Sequence, residues 1–256
     1  MRIIRYRDKT GQSIFGWVNG DKVGPIEGSP YESFRRSSAD IPIADLQLLP
    51  PVVPSKVICV GRNYAAHAQE HDVDVPEVPL LFLKPPSSVI GNGETIVLPP
   101  QSQNVEHEAE LGVVIGKRSR WLDIDGAKDA ILGYTIVNDV TARDLQRRDG
   151  QWTRGKGFDT FCPIGPWVET DLDPADAVIT CAVNGELRQM GSTRDMVFSV
   201  RQLVTYASSV MTLEPGDLLL TGTPAGVGAL NDGDQLVTSI EGIGELRNPV
   251  RAERPH

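Results

Sequence analysis

Short apolar runs bounded by glycine, proline, asparagine or aspartate recur along the chain. Runs of roughly four to eight residues in this setting are typical of β-strands. The clearest of them cover residues 57–60, 80–84, 109–116, 133–138 and 217–222. Helical patterns are fewer and cover residues 63–71, 123–131, 141–149 and 197–210. The pattern therefore predicts an α+β, β-rich architecture.

A proline-rich stretch, residues 39–55, follows two strand-like runs at residues 3–6 and 13–18. Short runs of this kind between glycine-rich turns indicate strands, and clustered prolines are typical of a connection between domains. The sequence therefore predicts a small N-terminal β domain at residues 1–50, joined by a proline-rich linker to a larger domain at residues 51–256.

The composition is that of an ordinary globular protein, with 40% hydrophobic and 23% charged residues. No apolar run approaches the roughly 20 residues of a membrane span, and the N-terminus lacks the apolar segment of a signal peptide. The three cysteines have neither metal-site nor disulfide-framework spacing, so we expect a protein of the reducing cytoplasm. The formal net charge of −9 argues against nucleic acid or an anionic membrane as partner, but not against a small anionic substrate.

Three acidic residues stand at the ends of predicted strands. Glu108 and Glu110 are two apart, so a strand places them on one face, and Asp139 ends another strand-like run. Carboxylates at the edge of a core need a partner, because an unpaired buried charge is very costly. Mg²⁺ or Mn²⁺ suits three such oxygen ligands. A solvated strand face that includes Glu106 is the alternative, and the glutamate spacing alone does not decide between the two.

His67 and Glu70 lie three residues apart in the predicted helix 63–71, which Asn63 is expected to cap. This spacing places them on one helix face. Glu70 would orient the imidazole and raise its basicity, which makes His67 a candidate general base. His71, at the end of the helix, is a competing candidate. The alternative is a surface His–Glu pair without a catalytic role.

Positive charge near the acidic residues would come from a small set of basic side chains: Arg62, Lys84, Arg143 and Lys156. Each of them alone is as readily a solvated side chain. Lys156 is the most unusual, because the glycines on both sides of it permit a tight backbone turn. The Gly/Thr-rich turn 215–228 offers N–H groups and hydroxyls for a carboxylate, with an ordinary loop as the alternative. Neither segment matches a phosphate-binding loop or a dinucleotide fingerprint.

Taken in order, these motifs resemble the fumarylacetoacetate hydrolase family. The matching stretches are GRNYAAHAQE at 61–70, FLK at 82–84, HEAEL at 107–111, NDVTARDLQ at 138–146, KGFD at 156–159 and the turn at 216–228. Each motif is weak by itself, but their combination in the right order is highly specific. The resemblance covers about residues 56–250 and adds little for the N-terminal residues.

The resemblance implies a mixed β-roll catalytic domain with a small N-terminal β domain, a homodimer, and a Mg²⁺ or Mn²⁺ site. The metal ligands of the family correspond to Glu108, Glu110 and Asp139. Its catalytic dyad and lysine correspond to His67, Glu70 and Lys156. Its polar substrate contacts correspond to Arg62, Arg143, Gln146 and Thr223.

One position departs from the family pattern. The branch that includes the animal tyrosine-degradation enzyme has a further aspartate ligand seven residues before the catalytic histidine, and this chain has Val60 there. The chain therefore resembles the smaller, three-carboxylate branch of acylpyruvate hydrolases, oxaloacetate decarboxylases and 2-hydroxyhepta-2,4-diene-1,7-dioate isomerases.

This branch implies an enzyme that acts on a small anionic 2-oxo acid, or a 2-hydroxy-dienoic acid, through a metal-stabilised enolate. The expected outcome is C–C bond hydrolysis of an acylpyruvate-type substrate, or decarboxylation. The alternatives are isomerisation of a dienedioate in aromatic catabolism and a non-catalytic metal- or ligand-binding homologue. Substrate-selecting side chains are expected in loops around residues 71–80 and 144–155, and the charged stretch 144–160 is interpreted as a mobile loop.

Overall fold

Strands dominate the computed structural model, which describes residues 1–253. The strands are β1 (Arg2–Arg7), β2 (Ser13–Asn19), β3 (Lys22–Gly28), β4 (Phe34–Arg36), β5 (Ile41–Pro42), β6 (Gln47–Leu49), β7 (Val57–Gly61), β8 (Leu80–Lys84), β9 (Val89–Ile90), β10 (Ile96–Leu98), β11 (Val105–His107), β12 (Ala109–Ile115), β13 (Ile131–Asn138), β14 (Thr141–Ala142), β15 (Cys162–Glu169), β16 (Val178–Val183), β17 (Glu186–Ser192), β18 (Leu218–Leu220), β19 (Gly228–Ala229), β20 (Gln235–Ile240) and β21 (Gly244–Ala252). The α-helices are α1 (Ala65–Glu70), α2 (Ile124–Ala130), α3 (Arg143–Asp149), α4 (Thr153–Lys156) and α5 (Val200–Val210). Short 3₁₀ turns cover Ile43–Asp45, Pro86–Ser88 and Thr193–Asp195. The predicted β-rich α+β architecture is thereby confirmed.

A large mixed sheet forms the body of the fold. Its strands run in the order β4-β3-β2-β1-β15-β13-β12-β18-β7-β8, and β5, β6 and β9 pair with members of this series. Every residue of β12 is buried. Leu111 and Val113 pack into one core, while Val114 packs into a second core on the other face. This burial on both faces is the reason that the strand reads as a continuous apolar run.

The strand register brings the acidic motifs together. β12 and β13 are antiparallel in a register that, continued by one residue, sets Glu108 opposite Asp139. The backbone N–H of Asp139 donates to the Glu108 carbonyl over 2.8 Å. β18 flanks β12 on the other side, and its register, continued by two residues, sets Gly222 beside Glu110. Backbone pairing alone therefore brings three distant segments together at one end of these neighbouring strands.

The N-terminal strands extend the large sheet, because β1 pairs with β15. They also cover a small separate core of Ile4, Tyr6 and Val23. The interpretation of residues 39–55 as a linker was wrong in part, since β5 pairs with β3 and β6 pairs with β1. These proline-flanked strands are very short and lie beside the main strand order, where a missing N–H is tolerated.

A second sheet has the strand order β10-β21-β20-β16-β17, and a third has the order β14-β11-β19. The second sheet packs on the large one through contacts of β16, β20 and β21 with β12, β13 and β15. Between residues 1 and 253, no helix is both long enough and apolar enough to cross a membrane.

The predicted helices are present with shorter bounds, and one predicted cap is wrong. α1 begins after Tyr64, which makes no side-chain capping bond. The side chain of Asn63 instead donates to the carbonyls of Phe198 (3.0 Å) and Thr221 (2.7 Å) and accepts from the N–H of Phe198 (2.8 Å). Asn63 therefore ties the start of α1 to the end of β18.

The stretch 144–160 is helical over much of its length, because it contains most of α3 and all of α4. The two helices approach closely at Gly155, where an added Cβ would lie 2.9 Å from the backbone of Gln146. Glycine at this position thus permits helix contact rather than a tight turn. That contact fixes the position of Lys156, the last residue of α4.

Asp217, just before β18, joins its own turn to the segment at Ser55 and Lys56. Its buried carboxylate accepts from Ser55 (N–H, 3.1 Å; hydroxyl, 2.6 Å) and from the backbone N–H groups of Lys56 (3.2 Å) and Glu214 (2.8 Å). It also pairs with the Lys56 ammonium group. The carboxylate thereby holds the segment that leads into β7 against β18.

Asp217→Ala should lower the free energy of unfolding by about 2–4 kcal/mol, because several hydrogen bonds to a charged group are lost at once. Denaturant titration followed by circular dichroism measures this change. Glu241→Ala, at an exposed acid in a turn, is the control and should change the value by less than about 0.5 kcal/mol. Equal stability of the two variants would contradict the anchoring role.

Candidate active site

Three carboxylates meet at the ends of neighbouring strands in the interior of the large sheet. Glu108 lies between β11 and β12, Glu110 lies on β12, and Asp139 directly follows β13. One oxygen of each lies within 4.8 Å of the others, and the residues are only 4%, 1% and 1% exposed. This burial excludes the solvated strand face for Glu108 and Glu110, whereas Glu106 is half-buried.

Two lysines share the carboxylate of Asp139. Lys84, the last residue of β8, donates to Oδ1 over 2.6 Å and to the Val140 carbonyl over 3.0 Å. Lys156 donates to Oδ2 of Asp139 over 2.6 Å and to Oε2 of Glu108 over 2.8 Å. Burial lowers the pKa of Lys156, but the charges of Asp139 and Glu108 outweigh burial and raise the pKa overall. Both oxygens of Asp139 are therefore held by cationic groups.

All three nitrogens of the Arg143 guanidinium group donate to side chains of the protein. Its Nε donates to Glu106 over 2.7 Å, its Nη1 donates to Oε1 of Gln146 over 2.6 Å, and its Nη2 donates to Glu108. Burial raises the pKa of the Glu108 carboxyl, but Lys156 and Arg143 outweigh burial and hold it well below its usual range. In contrast, the amide NH₂ of Gln146 donates to no residue within 1–253, so it can face a ligand.

Glu110 has no basic partner among the described residues. One of its oxygens accepts the N–H of Gly222 over 2.7 Å. Burial, together with the charges of Asp139 and Glu108, raises the pKa of the Glu110 carboxyl well above its usual range. A cation beside Glu110 would remove this penalty. The all-oxygen donor set of Glu108, Glu110 and Asp139 therefore fits a hard divalent cation.

The Gly/Thr-rich turn after β18 holds the protein's own groups. Thr221 and Thr223 donate their hydroxyl protons to backbone carbonyls of β12, each over 2.9 Å. Gly222 has φ +94°, and an added Cβ would lie 2.7 Å from the Cβ of Asn63, so only glycine fits there. The carboxylate that the N–H of Gly222 binds is that of Glu110. The assignment of Thr223 as a substrate contact stays a prediction.

Gln189, on β17 of the second sheet, braces this turn. Its buried amide donates to the Thr223 hydroxyl and to the Pro224 carbonyl, each over 2.8 Å. Its oxygen accepts from Nδ1 of His107 (2.9 Å) and from the N–H of Ala109 (3.1 Å). No sequence motif had indicated Gln189, because its partners lie on other sheets and far away in the chain.

The predicted dyad is formed on α1. Nδ1 of His67 lies 3.2 Å from one oxygen of Glu70, whose other oxygen accepts the N–H of Gly226 over 3.0 Å. With Nδ1 donating to a carboxylate, Nε2 is the ring nitrogen left to accept a proton. The His71 ring packs edge-on against the His67 ring, with ring centroids 4.7 Å apart. Burial, together with the charge of nearby Arg143, lowers the pKa of His71.

One cavity of about 390 Å³ brings nearly all the predicted site residues together. Its walls include Arg62, His67, Glu108, Glu110, Asp139, Arg143, Gln146, Lys156 and Thr223. Glu70 alone among the predicted residues is outside the lining and lies behind His67. His71, the competing candidate base, also lines the cavity. The sequence analysis did not single out several further wall residues, among them Phe82, Arg147 and Trp152.

Val60 also lines the cavity and is 2% exposed. An apolar side chain at this position offers no ligand atom. The acidic cluster at these strand ends therefore has three carboxylates. Val60 in the sequence had indicated this number, because it stands where a further aspartate ligand would be.

Two family models match the chain. Residues 56–251 match the model of the fumarylacetoacetate (FAA) hydrolase C-terminal region, and residues 1–51 match a model described as Rv2993c-like, N-terminal. The chain belongs to the fumarylacetoacetate hydrolase family. The resemblance read from the ordered motifs is thereby confirmed.

Relatives of the chain carry the names of three different activities. The mitochondrial oxaloacetate tautomerase FAHD2B of Bos taurus is 45% identical over 82% of this chain and 71% of its own length. The structure of 2-hydroxyhepta-2,4-diene-1,7-dioate isomerase from Mycobacterium marinum is 43% identical, with a TM-score of 0.91 over all of both chains. Fumarylpyruvate hydrolase from Pseudomonas aeruginosa, in complex with Mn²⁺ and pyruvate, is 38% identical, with a TM-score of 0.75 over 81% of this chain and 92% of that one.

Glu110→Gln should raise the melting temperature of the metal-stripped protein at pH 8 by about 2–6 °C, because it removes an uncompensated buried charge and keeps the acceptor for Gly222. Because its pKa is raised, Glu110 contributes stability that is fully present below the ordinary carboxyl pKa of 4.5 and is lost as the pH rises toward the raised pKa. The gain should therefore shrink toward pH 5. Differential scanning calorimetry at both pH values measures it.

Glu108→Gln is the matched control and should lower the melting temperature at pH 8, because Lys156 and Arg143 each lose a charged partner. Added Mn²⁺ should raise the melting temperature of the wild type but not that of Glu110→Gln. A shift of the same sign for both variants would show that the charge balance differs from the one described.

Proposed function

We propose that this chain is a divalent-metal-dependent enzyme that acts on a small 2-oxo acid and its enol form. The observation that carries the proposal is the shared cavity: it joins an oriented histidine base, His67, to a carboxylate cluster that lacks one positive charge, at Glu110. Binding of a substrate alone would not require a base in that place.

A cation held by Glu108, Glu110 and Asp139 would act as a Lewis acid toward the oxygens of a 2-oxo acid. The protein's contribution is to fix these ligands before substrate arrives. Lys84 and Lys156 hold Asp139, and Lys156 also holds Glu108, so the ligand oxygens cannot swing away. Lys156 in addition keeps a positive charge at the cavity wall, where the oxygen of a substrate gains negative charge.

His67 is the proposed base. The Glu70 carboxylate fixes the ring and stabilises the imidazolium that forms when Nε2 takes a proton. The backbone N–H of Gly226 in turn fixes Glu70. In hydrolysis the proton comes from a water whose oxygen bonds to the distal carbonyl carbon of an acylpyruvate. The C–C bond then breaks, its electron pair stays on the pyruvate fragment as an enolate that takes the proton back from His67, and the acyl fragment leaves as a carboxylic acid. Gln146, with its NH₂ open to the cavity, is the proposed donor to the substrate.

Isomerisation or keto–enol tautomerisation is the second candidate. The sequence similarity of the chain to the bovine oxaloacetate tautomerase and the mycobacterial isomerase favours it. Here His67 would move a proton between carbon and oxygen, or between two carbons, without an attacking water. Decarboxylation would need neither the water nor the base. The three outcomes thus place different demands on His67 while they share one metal site.

Removal of the metal should abolish turnover, because the Lewis acid is then absent. Protein stripped with EDTA should regain activity with Mn²⁺ or Mg²⁺, whereas Glu108→Ala and Asp139→Ala should not regain it at the same metal concentration. The assay is a substrate panel of acetylpyruvate, fumarylpyruvate, oxaloacetate and a 2-hydroxyhepta-dienedioate. Full activity in EDTA would contradict the proposed metal role.

His67→Ala should lower kcat for acylpyruvate hydrolysis or tautomerisation by about 10²–10⁴-fold, the usual contribution of a general base. Decarboxylation of oxaloacetate should change by less than about tenfold, because it needs no base. Glu70→Gln keeps the shape of the partner and should give a smaller loss than His67→Ala. Steady-state kinetics of both variants on both substrates measures this difference, and equal loss of all reactions would contradict the assignment.

The assembly and location of the protein also remain proposals. We expect a homodimer in the cytoplasm, as the family resemblance and the cysteine pattern indicated. Cys59, Cys162 and Cys181 are buried free thiols, an arrangement that suits a reducing compartment.

A further inference from the structure

Arg147 stands on the cavity face of α3. Arg143 and Gln146 on the same helix line the cavity, and Arg147 follows Arg143 by four residues, which places it one turn along the same face. Arg143 and Gln146 are buried, whereas Arg147 is exposed and lies at the outer part of the cavity wall. The helix thus carries cationic groups from the carboxylate cluster outward.

The arginines near Arg147 are already paired with an acid. Arg154 binds both oxygens of Asp149, at 2.7 and 2.6 Å, and Arg148 lies 3.6 Å from the same carboxylate. Arg147 has no acidic partner within residues 1–253, although it belongs to the same charged segment. The same holds for Arg62, the other arginine of the cavity that makes no ion pair with a described residue.

The backbone holds Arg62 at the cavity in an unusual conformation. Its φ is +59°, in the left-handed region that arginine rarely adopts. The flanking residues fix this conformation, because Gly61 packs against the Trp152 ring and Asn63 is bonded to Phe198 and Thr221. A strained backbone that presents an unpaired cation to a cavity is a feature of binding sites.

We propose that Arg62 and Arg147 form a second anion subsite, which binds a carboxylate at the far end of the substrate. The inference rests on the proposed function, since it takes the 2-oxo acid end of the substrate to lie at the carboxylate cluster. It narrows the substrate class to 2-oxo dicarboxylates. Arg147 is then a specificity-determining residue in the segment 144–155, where the sequence had predicted substrate-selecting side chains.

Charge balance supports this arrangement. The inner part of the site pairs its cations with acids: Lys84 and Lys156 bind Asp139, and Arg143 binds Glu108. The outer arginines have no such partners, in a protein whose net charge is −9. Phe82 and Trp152 line the same cavity and form an aromatic wall, with ring centroids 5.1 Å apart, that suits a carbon chain.

Two probes that differ only at the far end test the proposal. 2-Oxoglutarate carries a distal carboxylate, whereas 2-oxopentanoate has a methyl group in its place. With Mn²⁺-loaded protein in isothermal titration calorimetry, the wild type should bind 2-oxoglutarate about 10- to 100-fold more tightly, as expected for hydrogen bonds to a charged group. Arg147→Gln and Arg62→Gln should each lose most of this preference. Arg147→Gln should leave the affinity for 2-oxopentanoate within about threefold.

Arg148→Gln is the matched control, because Arg148 neighbours Arg147 but faces Asp149. It should keep the full preference of the wild type. Equal binding of the two probes by the wild type would overturn the subsite and leave the proposed function standing. Equal weakening of both probes by Arg147→Gln would also overturn it, in favour of a general field effect. If the wild type binds neither probe, the subsite and the 2-oxo acid assignment both fail.

Discussion

The Asp139 carboxylate forms ion pairs with both Lys84 and Lys156, and the rest of the site depends on this interaction. A lone carboxylate at 1% exposure would not stay ionised, and a lone ammonium group there would not stay charged. The two lysines, together with Arg143 beside Glu108, offset the desolvation cost of burying an acidic cluster. Glu110 is left as the one carboxyl group of the cluster without a basic partner among the described residues, and a bound cation would supply the positive charge that favours its ionised form.

The sheet supplies the geometry that this charge balance needs. β12 lies between β13 and β18, and the two registers deliver Asp139 and Gly222 to the sides of the Glu108–Glu110 pair. β8 lies two strands beyond β18, and Lys84 is its last residue. Asp139, Lys84 and Lys156 therefore each sit at or directly after the end of a strand or short helix whose position is fixed by its own packing. Packing of the apolar runs thereby also brings the site residues together.

Much of this could be predicted from the sequence, because the information was local. Apolar runs gave the strands, the i and i+2 spacing joined Glu108 to Glu110, and the i and i+3 spacing joined His67 to Glu70. The remainder depended on pairings between distant segments. Nothing local indicates that Lys84 meets Asp139 or that the turn at Gly222 binds Glu110. The stretch 39–55 was misread because its prolines outweighed two very short strands that gain their stability from β1 and β3.

Gln189 has a mechanical consequence for the whole site. All four hydrogen-bonding positions of its amide are used, two toward the turn that follows β18 and two toward the start of β12. The β16–β17 hairpin, which contributes no side chain to the cavity, is thus coupled to the floor beneath Glu108 and Glu110. Opening of this floor would break the hydrogen bonds of Gln189 unless the hairpin moved with it, so the second sheet restrains a site to which it contributes no side chain.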